Sequence, residues 1–193
     1  EKMQAEEKGV SAYGIMDEAA EKVAPGCDGL VALPHLSGSM APDVNAKAKG
    51  VFYGFTLKHT RAHFTRAIME SIGFIIRRNI EALEAIGLTV TEMRSSGGGS
   101  KSPLWNQIKS DIIKKPLVTV KCPEAACLGA AILAGTAVGI FNNVEDACES
   151  MAEIKNRFEP NKANEEVYDK AFNNYKKLFA DLNSMFEATY TAN

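Results

Sequence analysis

The tract Ser96-Gly97-Gly98-Gly99-Ser100-Lys101-Ser102-Pro103 can be neither helix nor strand, and it stands between two segments that can be one of each. Consecutive glycines cost backbone entropy, so a chain keeps them where the backbone must turn sharply or come close to something else. Before the tract, Thr89 to Ser95 reads as a strand. After it, Ser102 is a good helix N-cap and Pro103 suits the first helical position, where a missing N–H is harmless. Leu104, Trp105, Ile108 and Ile112 form the apolar stripe of that helix, Lys114 and Lys115 sit at its negative end, and Pro116 closes it. A strand, a glycine loop and a capped helix in direct succession restrict the fold to layered α/β arrangements.

The rest of the chain alternates in the same way. A first helix spans Tyr13 to Val23 and is stopped by Pro25-Gly26. Gly29 to Leu33 and Val51 to Phe55 read as short strands on either side of a turn-rich loop. From Thr60 the apolar residues Phe64, Ile68, Ile72, Ile75, Ile76, Ile80, Leu83 and Ile86 fall in steps of three and four, the signature of one helix face, with Arg66 and Glu70 off it and Gly87 as terminator. Leu117 to Val120 is a further strand, followed by an Ala- and Gly-rich helix from Glu124 to about Val138. Helices are then expected over Val144 to Ile154 and from Glu165 to about Tyr190, with Arg157-Phe158-Glu159-Pro160-Asn161 as a polar crossover. The expectation is one domain over residues 1–193, α/β in class, with a helical tail over about 144–190.

With 193 residues the chain can bury one sizeable core, and 46% hydrophobic against 24% charged residues is ordinary globular composition. A net charge of -2 gives no electrostatic reason to expect nucleic acid or an anionic membrane as partner. Cys27, Cys122, Cys127 and Cys148 have no C-x-x-C spacing and read as reduced thiols. With no apolar leader and no run long enough to span a bilayer, a soluble, cytoplasmic protein is expected. The opening Glu1-Lys2-Met3 carries no initiator methionine at position 1 and reads as a point inside a longer protein.

The strand–loop–helix unit is the best site. A glycine backbone can approach a ligand closely, and the helix behind it offers free N–H groups and a positive dipole end. Local sequence leaves two readings open, an anion cradle for a nucleotide phosphate and a plain capped turn. The loop is not a P-loop, because Ser100 precedes Lys101 where that motif has Gly, and Ser102 stands where a dinucleotide fingerprint has its last Gly. His59 and His63 have the i,i+4 spacing of metalloprotease helices but lack the adjacent Glu, so capping is expected of them rather than metal binding.

Four segments in order resemble the C-terminal domain of FGGY-type carbohydrate kinases: Leu33-Pro34-His35-Leu36-Ser37-Gly38; Gly50-Val51-Phe52-Tyr53-Gly54-Phe55 with His59 to His63 and Phe64 to Glu70; Gly97 to Trp105; and Glu124 to Ala131. Phe158 to Asn161, Tyr168 and Tyr175 are similar to the family's closing helices. Ser39-Met40 stands where the family shows Glu-Arg, and Phe55 replaces an aliphatic residue. The resemblance implies an actin-like, ribonuclease-H-like ATPase fold with a C-terminal helical extension, and phosphoryl transfer from ATP, with Mg2+, to a sugar or polyol hydroxyl. It implies that Gly97, Gly98, Gly99, Ser102, Trp105 and Gln107 lie at the nucleotide, and that Glu124 and Gly129 support the pocket wall. It places the catalytic base, the D-x-G-T phosphate loop and most sugar contacts in an N-terminal lobe of the same protein, so this chain alone is expected to be inactive. H-T-R-A-H leans toward xylulokinase-like or gluconokinase-like members. A non-catalytic nucleotide- or sugar-binding module of the same fold, a purely structural domain and a homodimer all stay open.

Overall fold

The computed structural model describes residue 9 and residues 11–122 and 124–188. Helix α1 (Ala12–Glu21) starts at Ser11, whose Oγ accepts the Gly14 N–H. Strands β1 (Val31–Pro34) and β2 (Gly50–Tyr53) form an antiparallel pair in the register Val31↔Tyr53 to Pro34↔Gly50. The long helix α2 (Arg61–Ala85) follows and ends before Gly87, which takes φ +87. Strand β3 (Met93–Ser95) leads through a 3-10 turn at Gly98–Lys101 into α3 (Pro103–Ile113), and β4 (Leu117–Val120) follows. Helices α4 (Ala125–Ala137) and α5 (Val144–Met151), strand β5 (Ile154–Phe158) and α6 (Glu165–Ala188) complete the described chain. The expected end of α6 near Tyr190 lies outside the described residues.

The second sheet has the order β3-β4-β5, with β3 parallel and β5 antiparallel to β4. Strand β5 corrects the sequence reading. The expected helix ends at Met151 instead of Ile154, and the stretch read as a crossover supplies Arg157 and Phe158 to a ladder against Val118 and Leu117. Its side chains are mostly exposed, so no burial pattern marks it, and backbone pairing with β4 holds it.

The face expected of α2 is also corrected. Its buried residues are Arg66, Ala67, Met69, Glu70, Ser71, Gly73, Phe74 and Ile80, while Ile68 and Ile86 are exposed. The helix is covered on more than one side: α1, α3 and β1 all pack against it, with Phe74 reaching Phe172 and Tyr175 of α6. A Cβ on Gly73 would lie 2.7 Å from Ile112 Cδ1, so this glycine sets how closely α2 and α3 approach. Arg66 and Glu70 are satisfied inside. Arg66 Nε donates to Glu70 at 2.9 Å, its Nη2 donates to the Tyr168 hydroxyl at 2.9 Å, and the Gly26 N–H donates to Glu70 at 3.0 Å. Burial, then the Glu70 carboxylate, pushes the Cys27 thiol far above its ordinary range, so that cysteine stays neutral.

The main core gathers Leu33, Phe74, Ile108, Ile112, Tyr168, Phe172, Tyr175 and Phe179 from four elements. Among the described residues no helix is long and apolar enough to cross a membrane.

Candidate functional site

The glycine loop leaves the C-terminal end of β3, a strand parallel to its neighbour, which is where open α/β sheets place ligands. Its three glycines are there for different physical reasons. Gly97 adopts φ +75 with ψ -166, a region reserved for glycine. A Cβ on Gly99 would meet the Trp105 ring at 3.1 Å, so Gly99 is a packing requirement. Gly98 is exposed, its φ is not positive, and a Cβ there would meet nothing within 4 Å. Nothing within the chain demands a glycine at 98. The Gly129 position on α4 has the same character.

Ser102 caps α3 as expected, its Oγ accepting the Trp105 N–H at 3.0 Å, with Pro103 at the first helical position. The Trp105 indole N–H donates to the Met69 carbonyl at 3.0 Å, which pins the ring against α2 beneath Gly99. Gln107 turns away from the loop: its Nε2 donates to Asp111 Oδ1 and to the Glu159 carbonyl, both at 2.7 Å. Glu124 is exposed at the head of α4, which packs on α5. Gly97, Gly98, Gly99, Ser102 and Trp105 are thus brought together, while Gln107 faces the C-terminal segment.

Below the loop lies a polar chain that the sequence reading missed. Lys109 Nζ donates to Ser95 Oγ at 3.0 Å, Ser95 Oγ donates to Asn106 Oδ1 at 3.3 Å, and Asn106 Nδ2 donates to the Ser100 carbonyl at 2.8 Å. Lys109 is 6% exposed and lies 5.3 Å from the Trp105 ring centroid, and burial lowers its pKa to about 8. Beside Ser95 in the β3–β4 register stands Thr119, whose buried hydroxyl has no partner among the described residues. The one sequence signal was a lysine four positions after Trp105, on the apolar side of α3. Asp111 is buried as well and accepts from Gln107, from the Asn161 N–H at 2.8 Å and from Asn164 Nδ2 at 2.8 Å, which clamps the start of the tail to α3.

The histidine pair caps, as expected. His63 Nδ1 accepts the Thr60 N–H at 3.1 Å and His59 Nδ1 accepts the Thr56 N–H at 2.8 Å. Both rings therefore carry any single proton on Nε2, toward Asp28 and the Cys27 carbonyl respectively. Elsewhere, a cavity of about 250 Å³ is walled by the 34–43 loop, α2 and α6. In it His35 lies 3.3 Å from the Tyr175 hydroxyl, and Arg78 is paired with Asp43. At Ser39-Met40, Ser39 is buried and bonds to the Asp43 carbonyl at 2.6 Å, whereas Met40 is exposed.

The fold defines a class, that of the actin-like ATPases. The chain belongs to the FGGY family of carbohydrate kinases, matching its C-terminal domain over residues 1–138. It is 32% identical to a xylulose kinase of Staphylococcus epidermidis over 80% of this chain and 31% of that protein. It is 32% identical to the gluconokinase of Bacillus subtilis over 95% of this chain and 35% of that protein. The crystal structure of a xylulose kinase from Rhodospirillum rubrum superposes with a TM-score of 0.81 at 31% identity, covering 96% of this chain and 37% of that one. The chain thus spans about a third of the length of the relatives it matches.

Proposed function

We propose that this chain is the nucleotide-binding lobe of an ATP-dependent kinase that phosphorylates a hydroxyl of a sugar, sugar acid or polyol. The observation that carries it is Gly98. Conformation explains Gly97 and packing explains Gly99, but neither explains Gly98, and the remaining physical reason for a bare backbone there is close approach of a ligand. The N-terminus of α3 adds a positive dipole end beside it. The chain's own contribution is to hold phosphates with backbone N–H groups and so fix the direction of transfer. By the family resemblance, the base that accepts the hydroxyl proton belongs to an N-terminal lobe of the same protein. That lobe covers the open face of α4, where Gly129 and the exposed Leu133 await a neighbour.

The test is Gly98→Val. Its side chain enters open space, so stability should change by less than about 0.5 kcal/mol, while ADP binding, followed by chemical-shift perturbation, should drop at least about tenfold. An unchanged ADP response in the folded variant would remove the loop as the phosphate site.

A further inference from the structure

A buried lysine ordinarily has a carboxylate partner, since an ammonium removed from water without one is costly. Lys109 has none among the described residues. Its polar contacts are a serine hydroxyl and the face of Trp105. The charged groups of the elements around it are engaged elsewhere: Arg66 with Glu70 on α2, Asp111 with the tail, Arg157 of β5 with Glu92 and Glu159, and Asp169 of α6 with Arg77 and Lys114.

The placement gives this charge a use. The bonds from Lys109 run in one direction: ammonium to Ser95, Ser95 to Asn106, Asn106 to the Ser100 carbonyl. Each donor polarises the next. The chain ends inside the 3-10 turn and draws that carbonyl to the protein side of the loop. Trp105 fills the other route, with Gly99 on one side of its ring and Lys109 on another. We propose that Lys109 is a positioning residue for nucleotide phosphate: its ammonium sets the glycine loop through Ser95, Asn106 and Ser100, and supplies from beneath the loop the positive charge that a bound phosphate answers. This rests on the nucleotide reading of the loop.

A phosphate above the loop favours the protonated lysine, so by linkage protonation favours the phosphate. Burial brings Lys109 down to about 8 from an ordinary 10.5, within an accessible window. ADP affinity should fall as pH rises through about 8. If ADP raises the pKa by about one unit, the fall is about tenfold, with proton uptake on binding that calorimetry in buffers of different ionisation heat measures directly.

The experiment compares wild type, Lys109→Met and Lys109→Arg, with ADP as ligand, between about pH 7 and pH 10. Lys109→Met should bind about tenfold more weakly near pH 7 and show no pH slope over the range. Lys109→Arg keeps its charge throughout and should hold affinity within about threefold of wild type, again without slope. A role in folding alone would change melting temperature and leave the pH slope of ADP affinity in place. An equal slope in wild type and in either variant overturns the inference and leaves the nucleotide reading standing, and Lys109→Arg decides it if the Met variant does not fold. Absence of saturable ADP binding by wild type at every pH overturns both.

Discussion

Helices α2 and α4 invert each other. α2 is amphipathic in sequence and hides charge: Arg66 is 5% and Glu70 2% exposed. α4, Ala125–Ala137, has no charged residue, yet Leu133 is 63% exposed, and Val138 and Ile140 just beyond are 74% and 72% exposed. In the first region every buried charge named has its partner within the chain, so the structure closes on itself. In the second, apolar surface is left that the described residues do not cover, and water is a poor neighbour for it. Polarity alone predicts neither outcome. The difference separates what holds the described fold together from the apolar surface that fold leaves open.

Breaking the closed region should have the largest effect. Arg66→Met leaves the Glu70 carboxylate buried with the Gly26 N–H as its main remaining bond, and should cost about 3–5 kcal/mol in urea unfolding. Leu133→Gln on α4 should cost less than about 0.5 kcal/mol in this chain and should reduce self-association in sedimentation; comparable costs at both sites would erase the contrast. Between these extremes, Ser102→Ala removes the cap of α3 and should cost about 1 kcal/mol. A smaller, pH-dependent signature belongs to Lys109. Unfolded, it titrates at its ordinary 10.5, and folded at about 8. Between those values the unfolded chain binds more protons at this site, so the stability of wild type relative to Lys109→Met should rise with pH over that window. A difference between the two that stays constant or falls with pH over the same window would show that the ammonium is paired after all.

Elements governed by local chemistry were legible in the sequence. β4 occupies Leu117–Val120 as expected because Pro116 punctuates its start, and α3 begins where Ser102 and Pro103 place it. Elements that exist only through distant partners were not. β5 carries three consecutive exposed polar residues, Lys155 to Arg157, and becomes a strand by pairing with β4. The apolar steps of α2 imply one buried face, but three elements cover it, so positions such as Arg66 and Glu70 turn inward. At the site, the family resemblance placed the glycines, Ser102 and Trp105 together. Gln107 could not be assigned that way, because it lies two helical positions past Trp105, about 200° around α3, which directs its amide to Asp111 and Glu159. Lys109 was hidden by the habit of reading a lysine as solvent-facing, which its neighbours in the apolar stripe contradict.

The Asp111 clamp has a consequence for where such a domain can be cut. The family match ends at residue 138, yet Tyr168, Phe172, Tyr175 and Phe179, which come after that border, are core residues packed with Phe74 and Ile112. Asp111 fastens this later stretch through Asn161 and Asn164 to the same helix whose other end carries the glycine loop. An expression fragment trimmed to the residues of that match would discard the aromatic half of its own interior, so the family's signature and the cooperative core draw different borders on this chain.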